Sequence, residues 1–140
     1  MQNSSTNDYS NRDVFKPNLR DNSVRDAQRN RIFDEIVAQC YTKIEFQMAW
    51  YRYLSHNLVF PFQADILVKI KNSNEIVTKS IDILALADED ACMDDILVKG
   101  ETAGEYDYFY LSLLILRNIQ SNGATQQAID DWQYWNSDYF

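Results

Sequence analysis

The chain has few of the residues that build special turns, disulfide frameworks or catalytic centres. Its 140 residues include only two prolines, three glycines, two cysteines and one histidine. So little proline and glycine excludes collagen-like and proline-rich linker classes. Cys40 and Cys92 stand far apart, whereas zinc sites and disulfide frameworks need closely spaced sets, so we interpret both as buried thiols. One imidazole, that of His56, gives little basis for a zinc site or a histidine-dependent base.

Long apolar runs and catalytic motifs are also missing. The longest uncharged apolar run, residues 108–116, is far shorter than the roughly 20 residues that cross a bilayer. The N-terminus has neither the basic start nor the apolar stretch of a secretory signal. G-x-S-x-G, P-loop and G-x-G-x-x-G motifs do not occur. We therefore expect a cytoplasmic protein that is not an enzyme and does not bind membranes.

Acidic charge, in contrast, is plentiful and concentrated. The net charge is -8, although residues 1–31 hold six basic residues against four acids. The window of residues 82–107 alone holds nine acids against one base, Lys99. A field of this sign repels phosphate backbones and attracts cations. The charge distribution predicts a metal ion or a basic protein as partner, and no nucleic-acid binding.

The composition predicts a polar tail followed by one domain. Residues 1–22 have few apolar positions and no periodicity, which is typical of a flexible segment. Residues 23–140 are predicted to form a single domain, because 46% apolar residues in the chain suffice for one core.

Three segments have helical patterns. The first begins at Ser23 and carries an apolar stripe, and the second begins with a capping box of Thr42 and Glu45. The third spans residues 125–135, with Thr125 as the candidate N-cap. Aromatic residues at helical spacing, such as Trp50 and Trp132, are predicted to pack between the helices. The stripe of the first helix consists of Ile32, Phe33, Ile36 and Val37.

Between the second and third helices the apolar period changes from about 3.6 to 2, which indicates strands. Strand-like runs cover residues 64–70, 75–87, 96–98 and 106–116. Short turns between consecutive strands favour antiparallel pairing. The predicted fold class is α+β, an antiparallel sheet or small β-barrel with two N-terminal helices and one C-terminal helix.

Four segments resemble a known family. They are residues 45–54 (EFQMAWYRYL), 58–64 (LVFPFQA), 87–92 (ADEDAC) and 125–135 (TQQAIDDWQYW). Their order and spacing are similar to those of the CcbP-like family of cyanobacterial calcium-binding proteins, from about residue 32 to the C-terminus. The resemblance implies a small protein of helices and strands whose surface carboxylates bind Ca²⁺ and buffer it inside the cell.

The candidate ligands lie in the acidic window. Ca²⁺ takes six to eight oxygen ligands, so several carboxylates have to converge with carbonyls or water. Asp131, which matches the aspartate-tryptophan pair of the family, would complete such a site if the last helix packs beside the acidic loop. The candidate metal ligands are therefore Asp88, Glu89, Asp90, Asp94, Asp95 and Asp131.

The same residues exclude one kind of calcium site and leave two functional hypotheses. An EF-hand is excluded, because a loop starting at Asp88 has Met93 where glycine is required and Lys99 where the bidentate glutamate belongs. The leading hypothesis is a non-enzymatic Ca²⁺ buffer or sensor that uses an acidic surface loop. The alternative is an acidic module that binds a basic protein. In this interpretation the module has lost metal binding, because Ser55, His56 and Ala91 stand where the resemblance implies acidic residues.

Overall fold

The structure, a computed structural model, describes residues 19–102, 105 and 107–137, with side chains from residue 23 onward. Most of the predicted tail lies outside these ranges. Helix α1 spans Leu19–Arg31 and begins four residues before the predicted start at Ser23. The apolar pattern did not indicate this first turn because α1 carries no apolar stripe, and even Val24 is exposed.

Helix α1 passes directly into the domain core. A π-helical turn, Ile32–Ile36, follows α1 without a break and buries both of its isoleucines. Helix α2, Lys43–Asn57, starts at the predicted capping box. The amide of Glu45 donates to Thr42 Oγ1 (3.1 Å), and Glu45 Oε1 accepts from the amides of Tyr41 (2.8 Å) and Thr42 (2.9 Å). These two donors lower the pKa of Glu45.

Helix α3, Gly123–Trp135, is capped by Asn122 and not by Thr125 as the sequence predicted. Asn122 Oδ1 accepts from the Thr125 amide at 2.8 Å. The hydroxyl of Thr125 is buried instead, where it accepts from the Val59 amide (2.9 Å) and donates to the Asn57 carbonyl (3.2 Å). Thr125 therefore joins α3 to the end of α2.

The strands form one antiparallel sheet. They are β1 (Phe62–Lys69), β2 (Ile76–Leu86), β3 (Leu97–Glu101), β4 (Tyr108–Ser112) and β5 (Arg117–Gln120). Their order within the described residues is β4-β3-β2-β1-β5, an open sheet of five strands. The fold is thus α+β with an open sheet, which confirms the predicted class and decides between the sheet and the barrel.

The sequence predicts one strand over residues 106–116, but only β4 lies within that segment and β5 follows it. That prediction is wrong at its end, because β4 stops at Ser112 and a 3₁₀ turn, Leu113–Ile115, follows. The Ser112 hydroxyl accepts from the Leu114 amide (3.1 Å) and so caps this turn. The chain then crosses to the far side of the sheet, where β5 pairs with β1.

The core lies between one face of the sheet and helices α2 and α3. Trp50 of α2 is fully buried, and its ring centroid lies 5.2 Å from that of Trp132 and 5.7 Å from that of Trp135. These contacts confirm that aromatic side chains pack between the helices. Cys92 is buried as predicted, while Cys40 is only partly buried. No helix in residues 19–137 that the structure describes has the length and apolarity needed to cross a membrane.

Candidate metal centre

The connection between β2 and β3, residues 87–96, contains five of the six candidate ligands and is called here the acidic loop. Its two ends meet, since the Ala87 amide donates to the Leu97 carbonyl at 2.9 Å. Inside it, Glu89–Cys92 forms one 3₁₀ turn, in which the Ala91 amide donates to the Asp88 carbonyl (3.0 Å). The loop is therefore compact and closed at its base.

Cys92 lies at the centre of the acidic loop and fixes it from the inside. Its Sγ accepts from the Leu97 amide (3.4 Å) and lies 3.8 Å from the carbonyl oxygens of Ala87 and Leu97. Burial raises the pKa of the Cys92 thiol, the negative charges of Asp95 and Asp88 raise it further, and the Leu97 amide partly offsets both. The thiol stays protonated at neutral pH and acts as a small buried anchor.

Helix α2 holds the acidic loop from the outside. Gln47 Nε2 donates to the Cys92 carbonyl at 2.8 Å, and the Tyr51 hydroxyl donates to the Ala87 carbonyl at 2.7 Å. Burial raises the pKa of Tyr51, and the nearby Asp88 and Glu89 carboxylates raise it further. The neutral phenol is thus retained as a donor, and the loop backbone is fixed on both sides.

The carboxylates of the acidic loop point to water. Asp88, Glu89, Asp90 and Asp94 are exposed and Asp95 is half-exposed. The ion pair that the structure places on the loop joins Lys43 Nζ to Asp94 Oδ1 at 3.9 Å, with side chains 83% and 95% exposed. Such a pair is screened by water and contributes little. Most carboxylate oxygens of the loop are therefore available to a cation.

These carboxylates do not form a finished cage. Among residues 19–102, 105 and 107–137, no three His, Cys, Asp or Glu side chains converge closely enough to hold a metal ion. Asp88 precedes the 3₁₀ turn and Asp94 and Asp95 follow it, so the acids are spread along the loop. The donor set fits calcium, which prefers oxygen ligands and accepts water and carbonyls to fill its shell.

Asp131 is placed differently from the other candidate ligands. It is fully buried and forms a two-pronged ion pair with Arg31, at 2.6 Å to Nη2 and 3.0 Å to Nη1. Its oxygens also accept from the Tyr53 hydroxyl (2.8 Å) and from Gln28 Nε2 (2.9 Å). A carboxylate with these four donors already has its lone pairs occupied. We therefore leave Asp131 out of the metal centre proposed below.

The ion pair of Asp131 shifts the ionisation of its partners. The hydrogen bond to Asp131 raises the pKa of Arg31 above its usual value, against the opposing effect of burial. Burial and then Asp131 raise the pKa of Tyr53 to about 12. Basic residues near the end of α1 are the one signal of this network that is visible along the chain. Contacts between residues 100 positions apart cannot be identified from local patterns.

The fold and the acidic loop together define a small α+β protein with an exposed carboxylate surface suited to divalent cations. A family model named Calci_bind_CcbP, described as calcium binding, matches residues 30–136. The chain belongs to this CcbP family of calcium-binding proteins. This confirms the predicted resemblance and identifies the protein as a calcium-binding protein.

Two solved structures are similar to this chain. The crystal structure of Anabaena CcbP has 30% identity and a TM-score of 0.68, over 87% of this chain and 93% of that one. A calcium binding protein in the calcium-binding form has 32% identity and a TM-score of 0.68, over 79% of this chain and 89% of that one. No curated protein sequence matches the chain.

Proposed function

We propose that this protein binds Ca²⁺ reversibly through the acidic loop and acts as a cytoplasmic calcium buffer with no catalytic role. The observation that carries the proposal is a loop backbone fixed by Cys92, Gln47 and Tyr51 that presents five carboxylates to water. Calcium is the divalent cation that such mixed, flexible oxygen sets accommodate best. The proposed ligands are Asp88, Glu89, Asp90, Asp94 and Asp95.

The anchoring of the loop favours a buffer over a sensor. A sensor has to convert ion binding into a rearrangement of a bistable element. Here the base of the loop is closed by the Ala87–Leu97 hydrogen bond and supported by α2, so binding requires side-chain rotations and not backbone movement. Because the carboxylates have to be gathered from an open arrangement, part of the binding free energy is spent on ordering them, and we expect moderate affinity.

Isothermal titration of the metal-free protein with CaCl₂ tests the proposal. We expect binding heat, together with a rise in melting temperature that grows with calcium concentration, because a ligand of the native state stabilises it. A parallel titration with MgCl₂ measures selectivity. If millimolar calcium gives neither heat nor thermal stabilisation, the protein does not bind calcium and the proposal is wrong.

A pair of charge-matched variants locates the site. The triple variant Asp88→Asn, Glu89→Gln, Asp90→Asn removes three negative charges from the acidic loop. The control variant Asp34→Asn, Glu35→Gln, Glu75→Gln removes three from exposed positions elsewhere. We expect the loop variant to lose at least about tenfold in calcium affinity, which is about 1.4 kcal/mol, and the control to stay near wild type. Equal losses of calcium affinity in both variants would show that calcium is attracted by the overall negative charge and is not bound at the acidic loop.

The interaction module is the second candidate, and the lack of a three-ligand cluster among the described residues favours it. In that case the acidic loop binds a basic protein and no calcium is bound. A pull-down from cell extract in the presence of EDTA, repeated at increasing NaCl, would then recover a basic protein only at low ionic strength. Calcium binding in the titration above would rule out the view that metal binding has been lost.

A further inference from the structure

Strand β4 forms one edge of the sheet in the residues that the structure describes. Strand β4, Tyr108–Ser112, reads YFYLS and contains no charge and no proline. It is the outermost strand next to β3 in the described sheet. Natural proteins usually protect such an edge with an inward-pointing charge, a proline or a bulge. The β3–β4 ladder runs without a bulge from Leu97–Ser112 to Glu101–Tyr108.

The hydrogen bonding of the ladder shows which backbone groups face away from the sheet. The Leu113 amide donates to the Ile96 carbonyl at 2.9 Å, which makes these two residues a hydrogen-bonded pair. In an antiparallel ladder such pairs alternate, so Phe109 and Leu111 also direct their backbone groups toward β3. The N–H and C=O groups of Tyr108, Tyr110 and Ser112 consequently point outward.

The side chains of the same residues offer contact surface. Tyr108 and Tyr110 are 57% and 60% exposed. The Lys99 ammonium lies 3.9 Å from the centroid of the Tyr108 ring, which fixes the ring on the outer face of the sheet. Side chains of a strand that pairs with the outward backbone groups would pack beside both tyrosines.

Negative charge lies at both ends of this edge. Ser112 pairs with Leu97, the residue that directly follows the acidic loop. At the other end Tyr108 pairs with Glu101 and follows Asp107 in the chain. A second copy of the chain would bring the same acids to the same edge, whereas a basic segment would be complementary to them.

We propose that the β4 edge binds an extended segment of a partner protein that has Lys or Arg at both ends and β-branched residues between them. The segment adds a sixth strand antiparallel or parallel to β4, with its backbone bonded to Tyr108, Tyr110 and Ser112. Affinity comes from the backbone bonds and specificity from the charges at the two ends. Binding of the segment does not require calcium, and calcium bound to the acidic loop would weaken the charge attraction at the Ser112 end.

A peptide titration followed by NMR tests the proposal. The probe is a blocked synthetic heptapeptide with lysine at both ends and alternating valine and threonine between, added to ¹⁵N-labelled protein in EDTA. We expect the amide signals of Tyr108, Tyr110 and Ser112 to shift and their hydrogen exchange to slow. The same peptide with glutamate in place of both lysines should bind at least about tenfold more weakly.

Two variants at one position separate backbone pairing from ring contacts. Because the Tyr110 amide points outward, Tyr110→Pro removes a donor for the partner and no bond to β3. Tyr110→Val keeps this amide and is a good strand former. We expect the proline variant to lose at least about tenfold in affinity and the valine variant to stay within about threefold of wild type. If the amides of Phe109 and Leu111 keep their protection from hydrogen exchange in both variants, the sheet is intact.

Several outcomes would overturn the proposal. One is equal binding of the lysine and glutamate peptides, and another is equal affinity of the proline variant and the wild type. Shifts confined to the acidic loop would show nonspecific attraction of lysine to carboxylates. Concentration-dependent shifts of β4 without peptide, with a dimer in sedimentation velocity, would show that the occupant is a second copy.

Discussion

At the scale of single residues, one buried carboxylate joins all three helices. Asp131 of α3 binds Arg31 and Gln28 of α1 and Tyr53 of α2, and its side chain has no exposure to water. A buried charge is tolerated only when it is paired and hydrogen-bonded. Asp131 therefore fixes the position of α1, a helix with no apolar stripe of its own.

Replacing Asp131 should destabilise the fold and leave calcium binding intact. We expect Asp131→Asn to lower the free energy of unfolding by about 3 kcal/mol, because Arg31 loses its charged partner inside the protein. Urea denaturation measures this loss. The control Asp130→Asn, at an exposed neighbour that accepts from Gln28 at 2.9 Å, should cost less than about 0.5 kcal/mol. A folded Asp131→Asn protein without calcium binding would show that Asp131 is a ligand after all.

Tyr53 predicts a pH dependence at the alkaline end. Burial and Asp131 raise its pKa to about 12, against about 10 in an unfolded chain. The neutral phenol is therefore favoured in the folded state, and this stabilisation is complete below pH 10 and lost as the pH rises through 12. The difference in tyrosinate absorbance between wild type and Tyr53→Phe should show one transition near pH 12. A transition near pH 10 would contradict the raised pKa of Tyr53.

At the scale of elements, the packing of β3 against its neighbours depends on a missing side chain. A Cβ atom at Gly100 would lie 2.9 Å from Leu111 Cδ2 and 3.0 Å from Ile81 Cγ2. Strands β2, β3 and β4 thus meet at a point where only glycine fits without a shift. Gly123, at the start of α3, has open space around it.

The two glycines give a matched prediction. We expect Gly100→Ala to lower the free energy of unfolding by about 1 to 3 kcal/mol through overpacking. Gly123→Ala should be neutral or raise it by up to about 1 kcal/mol, because alanine loses less backbone entropy in a helix. Thermal unfolding of both variants beside wild type measures the difference. Equal stability of the two variants would mean that the core around Gly100 accommodates a methyl group without loss of stability.

At the scale of the whole molecule, the uneven charge limits stability in the absence of metal. The acidic window carries -8 in net charge, and the described part of the acidic loop has only the exposed Lys43–Asp94 pair to compensate it. Like charges at this density repel one another, and a bound cation relieves the repulsion. The same surface that attracts calcium therefore opposes folding without it.

This repulsion can be measured directly. In EDTA at about 0.01 M salt we expect the variant Asp88→Asn, Glu89→Gln, Asp90→Asn to be roughly 1 kcal/mol more stable than wild type. The difference should shrink at about 0.15 M salt, where the Debye length falls from about 30 Å to about 8 Å. A variant that is less stable at low salt would show that these carboxylates make stabilising contacts in the metal-free state.

The sequence by itself determined the features that depend on local chemistry. The capping box at Thr42 and Glu45, the period-2 strands and the acidic window are set by residues close together in the chain, and the four family segments carried the family assignment. The five acids of the loop could be named for the same reason, although their role as ligands stays a prediction.

Only the tertiary structure decided what depends on residues far apart. Asp131 and Arg31 are 100 positions apart, and only folding brings them together and turns a candidate ligand into a structural ion pair. The acidic loop is fixed by Gln47 and Tyr51 of another element, and β4 ends at Ser112 before the chain crosses the sheet, where β5 pairs with β1. Long-range hydrogen bonds and ion pairs have no period along the chain, so no local pattern can reveal them.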